Sequence, residues 1–148
     1  MVAQVVLRLL GPTDQLRLVW QVGETLLESM TFDEDPEGTR YNVLLALQEM
    51  VTNVLRHAYE LDDGRPIEVT FTVHEDAFEV VLRDQGPAFD PLAYDAEDLL
   101  DLAEMPTEAG GFGIHIARLV MDEVAYERTD GWNILRMKKL VRVTAASR

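Results

Sequence analysis

Glu49 and Asn53 lie four positions apart in a stretch that reads as helix, so a carboxylate and an amide project from one side, one turn apart. Further along, Asp84-Gln85-Gly86-Pro87-Ala88-Phe89 leaves the end of a predicted strand. Gly110-Gly111-Phe112-Gly113 then opens another predicted helix. Three separated elements of this kind can build one site. A carboxylate and an amide suit a metal-bound polyphosphate, an Asp with a Gly suits a flat base, and a glycine turn at a helix start offers free N–H groups to an anion. The ordered set points to a nucleotide.

Each element alone has a plainer explanation. A polar stripe on the outer side of a helix is usually solvated surface, but Leu45 and Ala46 make this side less polar than a wet face. A polar stripe on a helix that is apolar almost all round suggests the floor of a pocket. Asp, Gly and Pro after a strand also make an ordinary turn. In the functional reading, Asp84 accepts a hydrogen bond from an exocyclic amine, and Gly86 lets a ring lie against bare backbone. The glycine cluster matches neither the Gly-x-x-x-x-Gly-Lys nor the Gly-x-Gly-x-x-Gly phosphate pattern, and a simple loop-to-helix hinge accounts for it equally well.

The elements that must position these groups follow from periodicity. Residues 2–10 read as a strand closed by Gly11-Pro12. Thr13 or Asp14 can cap a helix carrying Leu16, Val19, Trp20, Leu26, Leu27 and Met30 at spacings of three and four. Residues 33–38 read as a polar loop, and a second helix is predicted from about 39 to 60, with Val43, Leu47, Met50, Val51, Val54 and Ala58 on one face. Two hairpins are expected, one pairing 67–73 with 78–83, the other pairing 123–128 with 132–140 around Thr129-Asp130-Gly131. Between them lies a long acidic stretch over 90–109, with a short helix expected near 97–103, and then a helix over 112–121. Loops of that length in a small domain usually serve a function. The expected fold is α+β: a two-layer sandwich of a mostly antiparallel sheet covered on one face by helices.

Composition narrows the class. The 148 residues fit a single domain over 1–148, and 47% hydrophobic content makes the chain globular rather than disordered. Thirteen Lys and Arg against 27 Asp and Glu give a net charge of −14, which disfavours direct nucleic-acid binding and would attract a basic protein face. There are no cysteines, so disulfides and thiol chemistry are excluded. The N-terminal segment reads as a strand rather than a signal peptide, and no apolar run reaches the roughly 18 residues of a membrane span. A soluble, cytoplasmic protein is expected. His57, His74 and His115 lack metal-ligand spacing, so no zinc site is proposed. Trp20 and Trp132 read most simply as core or interface residues.

Taken together, the motifs resemble the Bergerat-fold, histidine-kinase-like ATP-binding superfamily, and within it the bacterial anti-sigma-factor serine/threonine kinases. Glu49-Met50-Val51-Thr52-Asn53, continuing to His57-Ala58-Tyr59, looks like that family's N box. The segment from Asp84 to Pro91 looks like its first glycine box, and Gly110-Gly111-Phe112-Gly113-Ile114 like its second. Met121-Asp122-Glu123-Val124 and Tyr126-Glu127-Arg128 follow the family's habit after that box.

The resemblance implies ATP and Mg2+ as cofactors, with Asn53 on the metal and His57 near the nucleotide. It also implies Asp84 on the adenine amine with Gly86 beneath the ring, and Gly111 and Gly113 closing an ATP lid of about 90–112. Glu49 would be the general base for a serine or threonine hydroxyl of a partner. The partners implied are a sigma factor and an anti-sigma-factor antagonist, with the chain itself a homodimer. The alternative function is a catalytically silent ATP-binding module that sequesters a protein partner.

One departure bears on that alternative. No Lys or Arg occurs between Arg83 and Arg118, and the segment before the second glycine box reads Met105-Pro106-Thr107-Glu108-Ala109, where the family often carries a basic residue. Phosphates there would depend on the metal, on backbone N–H groups and on a cation from elsewhere, such as Arg56 or a partner.

Overall fold

The computed structural model describes residues 1–10, 16–54, 66–88 and 111–141. Among these, five strands form one antiparallel sheet: β1 (Ala3–Leu9), β2 (Ile67–Val73), β3 (Ala77–Asp84), β4 (Glu123–Thr129) and β5 (Trp132–Leu140). Their spatial order is β1-β2-β3-β5-β4. Three helices lie against it: α1 (Leu16–Glu28), α2 (Pro36–Asn53) and α3 (Gly111–Val120).

Strand alternation decides which side is core. Val69, Phe71, Phe78, Val80, Leu82, Leu135 and Met137 are buried and share one face, where they meet the helices. Phe71 and Phe78 pack ring to ring, 6.2 Å between centroids, a contact worth about 1 kcal/mol beyond its buried area. The other face carries polar pairs in register. Arg83 lies opposite Glu68, bonds its carboxylate at 3.3 Å and sits 4.8 Å from the centroid of the Trp132 ring. The two-layer α+β architecture expected from periodicity is the one observed.

Helix α2 packs against both α1 and α3, which is why so much of its circumference is buried. Gly23 marks the close approach of α1: a methyl group there would come within 3.0 Å of Leu44 Cδ2. The start of α2 corrects the sequence reading. Residues 33–38 are not all loop, because the helix begins at Pro36, three residues earlier than expected. Proline is at home in a first helical turn, where its missing N–H has no intrahelical partner. Asp35 caps this turn, its carboxylate accepting from Gly38 N at 3.3 Å.

The predicted hairpins are present. His74 N donates to Ala77 O at 2.8 Å to close the first. Asp130 and Gly131 close the second with φ of 53° and 83°, the left-handed pair that a two-residue hairpin loop requires. The capping residues expected for α1, the C-terminal part of the second helix beyond 54, the short helix near 97–103 and nearly all of the 90–112 lid lie outside the described residues.

Candidate functional site

Register places the first group of site residues. Leu9 pairs with Ile67, Ile67 with Asp84, Asp84 with Asn133, and Asn133 with Arg128, so these five form one row across the end of the sheet. Alternation puts this row on the same face as the apolar rows through Leu82 and Val80. The middle of the core-facing surface is apolar, and in this last row Asp84, Asn133 and Arg128 make its β3–β5–β4 part polar.

Asp84 is 6% exposed and Asn133 is 5% exposed. A carboxylate so buried is costly unless hydrogen bonds replace its water. Asp84 Oδ1 accepts from Gly86 N and from Asn133 Nδ2, both at 2.9 Å. The first of these bonds folds the chain just after β3 back on its own aspartate, which brings Gly86 under the strand end. Asn133 Nδ2 also faces Gly86 O at 3.2 Å and Pro87 O at 3.0 Å. Arg128 Nη1 donates to Gly86 O at 2.9 Å and to Asn133 Oδ1 at 3.0 Å. The hydroxyl of Tyr126, one row inward, donates to Asn133 Oδ1 as well.

Helix α2 carries the second group. Asn53 is 7% exposed at its C-terminal end, and Glu49 is half-buried one turn earlier. Asn53 is therefore not the wet residue that an isolated helix would give, whereas Glu49 keeps part of its exposure. Helix α3, which packs on α2, begins with the backbone of Gly111-Phe112-Gly113, so the second glycine motif forms a helix N-terminus. Such an end presents unsatisfied N–H groups and a partial positive charge.

Among the described residues, no group of three or more His, Asp and Glu could hold a metal ion. The grooves beside Trp20 on α1 and beside His74 at the β2–β3 turn, each about 570 Å3, contain none of the site residues. His57 and Arg56 lie outside the described residues. Sequence reasoning did not single out Asn133 or the hydrogen bonds that Tyr126 and Arg128 make to it. A signal was available: Asn133 is in phase with Leu135 and Met137, as Asp84 is with Leu82 and Val80, so both are polar residues at apolar-phase positions.

Residues 12–139 match the histidine kinase-like ATPase domain family. The chain belongs to that family. Serine-protein kinase RsbW of Bacillus pumilus is 34% identical over 104 residues, covering 66% of this chain and 64% of that protein. Serine/threonine-protein kinase BtrW of Bordetella bronchiseptica is 30% identical over 100 residues, covering 66% of this chain and 68% of that protein. The chain thus spans just under two thirds of the length of the RsbW relatives that it matches.

Among solved structures, the SiaB–SiaC complex of Pseudomonas aeruginosa superposes with a TM-score of 0.56 at 13% identity, over 93% of this chain and 89% of that one. The catalytic domain of histidine kinase ThkA superposes with a TM-score of 0.51 at 14% identity, over 95% of this chain and 97% of that one. These two share the fold of this ATPase domain. No helix among the described residues is long and apolar enough to cross a membrane.

Proposed function

We propose that this ATPase domain is a Mg-ATP-dependent serine/threonine protein kinase of a partner-switching circuit. It would act as an anti-sigma factor and phosphorylate the antagonist of that interaction. The observation that carries the reading is the polar end of an otherwise apolar sheet face, where a buried Asp84 is held rigidly beside a bare Gly86 backbone. A carboxylate in that position is suited to an exocyclic amine, and a glycine to a flat ring. Relatives that carry the names serine-protein kinase and serine/threonine-protein kinase support the choice of acceptor.

Each residue has a role in this proposal. Asp84 and Gly86 hold adenine, and the N-terminal turn of α3, with Gly111 and Gly113, faces the phosphates. Asn53 offers an oxygen donor of the hard kind that Mg2+ favours, and that ion usually takes most of its other ligands from phosphate and water. When bound, the metal neutralises phosphate charge and fixes the γ-phosphoryl group. Glu49 takes the proton of the partner's hydroxyl as its oxygen bonds to the γ-phosphorus, while the bond from that phosphorus to the bridging oxygen breaks and ADP leaves. His57 stands near the nucleotide by motif alone. A homodimer working in the cytoplasm completes the proposal.

The test is to incubate the purified protein with Mg2+, γ-labelled ATP and a candidate antagonist. We expect label on an antagonist serine or threonine. In Glu49→Ala the rate should fall by about 10²–10⁴-fold, the usual worth of a positioned base, with ATP affinity kept within about twofold. Tight ATP binding with no label from the wild type would overturn the kinase reading in favour of a silent binding module.

A further inference from the structure

We infer, on the premise that this site takes ATP, that Asn133 is a positioning residue that sets the selectivity for adenine by pinning Asp84. Asn133 stands opposite Asp84 on β5 and is itself buried. On its nitrogen side stand three acceptors: Asp84 Oδ1 at 2.9 Å, Pro87 O at 3.0 Å and Gly86 O at 3.2 Å. On its oxygen side stand two donors, the Tyr126 hydroxyl and Arg128 Nη1. Exchanging the amide's two ends would set an NH2 against a guanidinium and an oxygen against three acceptors, so only one orientation is compatible with these neighbours. Tyr126 and Arg128 thus aim Asn133, and Asn133 aims Asp84.

The consequence concerns which base is accepted. Asp84 Oδ1 takes hydrogen bonds from two protein donors, which fixes the plane of the carboxylate. A fixed acceptor meets the 6-amino group of adenine with a hydrogen bond and the 6-oxo group of guanine with a second acceptor. A carboxylate free to turn loses that contrast, because it can swing away from the oxo group. The amide has two N–H groups, so beside Asp84 it can hold the Pro87 or the Gly86 carbonyl, and the backbone against which the ring would lie is set by the same amide. Removing Asn133 leaves the Gly86 N to Asp84 and Arg128 to Gly86 O bonds in place, so the turn survives while the carboxylate loses an anchor on that oxygen.

The experiment is competition of ATP and GTP against a ribose-labelled fluorescent ADP in the full chain, for wild type, Asn133→Leu and Tyr126→Phe, with thermal melts alongside. Wild type should prefer ATP by at least about 100-fold. In Asn133→Leu that ratio should fall about tenfold, through weaker ATP binding with GTP little changed, as befits loss of one hydrogen bond to a charged group. Tyr126→Phe, which keeps the amide but removes one of its two aiming donors, should lower the ratio in the same direction by about threefold.

Equal losses for both nucleotides, or a ratio unchanged within about twofold, would overturn the assignment and leave the ATP reading standing. If Asn133→Leu does not fold, the Tyr126→Phe ratio decides by the same criterion. A wild type that binds no ATP overturns the ATP reading itself, and this assignment with it.

Discussion

Asn53 shows how one side chain can be read differently alone and in place. On an isolated helix it would be wet; in the fold it is 7% exposed. An amide so enclosed is well suited to one ordered cation and poorly suited to bulk solvent. If it serves the metal, its loss should remove the metal-dependent part of nucleotide affinity and spare the rest. In Asn53→Ala, we expect calorimetric ATP affinity with Mg2+ present to drop about tenfold, toward the metal-free value, with little change when chelator is present. An equal loss in both conditions would mean that Asn53 acts through packing. Glu49, Asn53, Asp84 and Gly86 could be singled out as candidates from the sequence because each lies in a short local pattern. Asn133 was not, because its role depends on facing Asp84 from 49 positions away, and only the pairing of β3 with β5 supplies that.

Among the elements, the β4–β5 hairpin matters most to the site. Its turn sets Thr129 opposite Trp132 and Arg128 opposite Asn133, and a one-residue slip would carry Asn133 to the outer face of the sheet. Asp130-Gly131 fixes that register through two left-handed residues, and a methyl group at Gly131 would meet nothing within 4 Å. Gly131→Ala therefore costs backbone strain without a clash, about 1 kcal/mol in urea unfolding. A cost near zero would show that the turn does not hold the register and that the core phase of β5 does. The hairpins were readable from their turn chemistry and alternation. The start of α2 was not, because Pro36 and Gly38 read as loop residues when the Asp35 cap and the first-turn place of proline are not yet known. The wide burial of α2 was visible only as an apolar helix with a polar stripe, and its sandwiching between α1 and α3 is a tertiary fact.

At the scale of the whole molecule, the charge of −14 opposes an anionic ligand. Arg128 bonds Gly86 O, at what the proposal takes as the base end, whereas 84–117 contain no Lys or Arg for the proposed phosphate end. In the proposed site, two forces on Mg·ATP then respond unequally to salt. Contacts with N–H groups at the start of α3 and with the metal act over a few ångströms and are weakly screened, while repulsion from the rest of the molecule acts over longer distances and is strongly screened. Raising ionic strength from 0.01 to 0.1 M shortens the screening length from about 30 to about 10 Å. That change removes mainly the repulsion, so affinity for Mg·ATP should rise with salt, by at least about twofold at saturating Mg2+. A basic partner protein should show the opposite trend. Calorimetry at the two salt concentrations checks both signs, and ATP affinity that falls with salt would mean that cations beyond 84–117 dominate the phosphate end. The acidic character would then belong to partner choice alone.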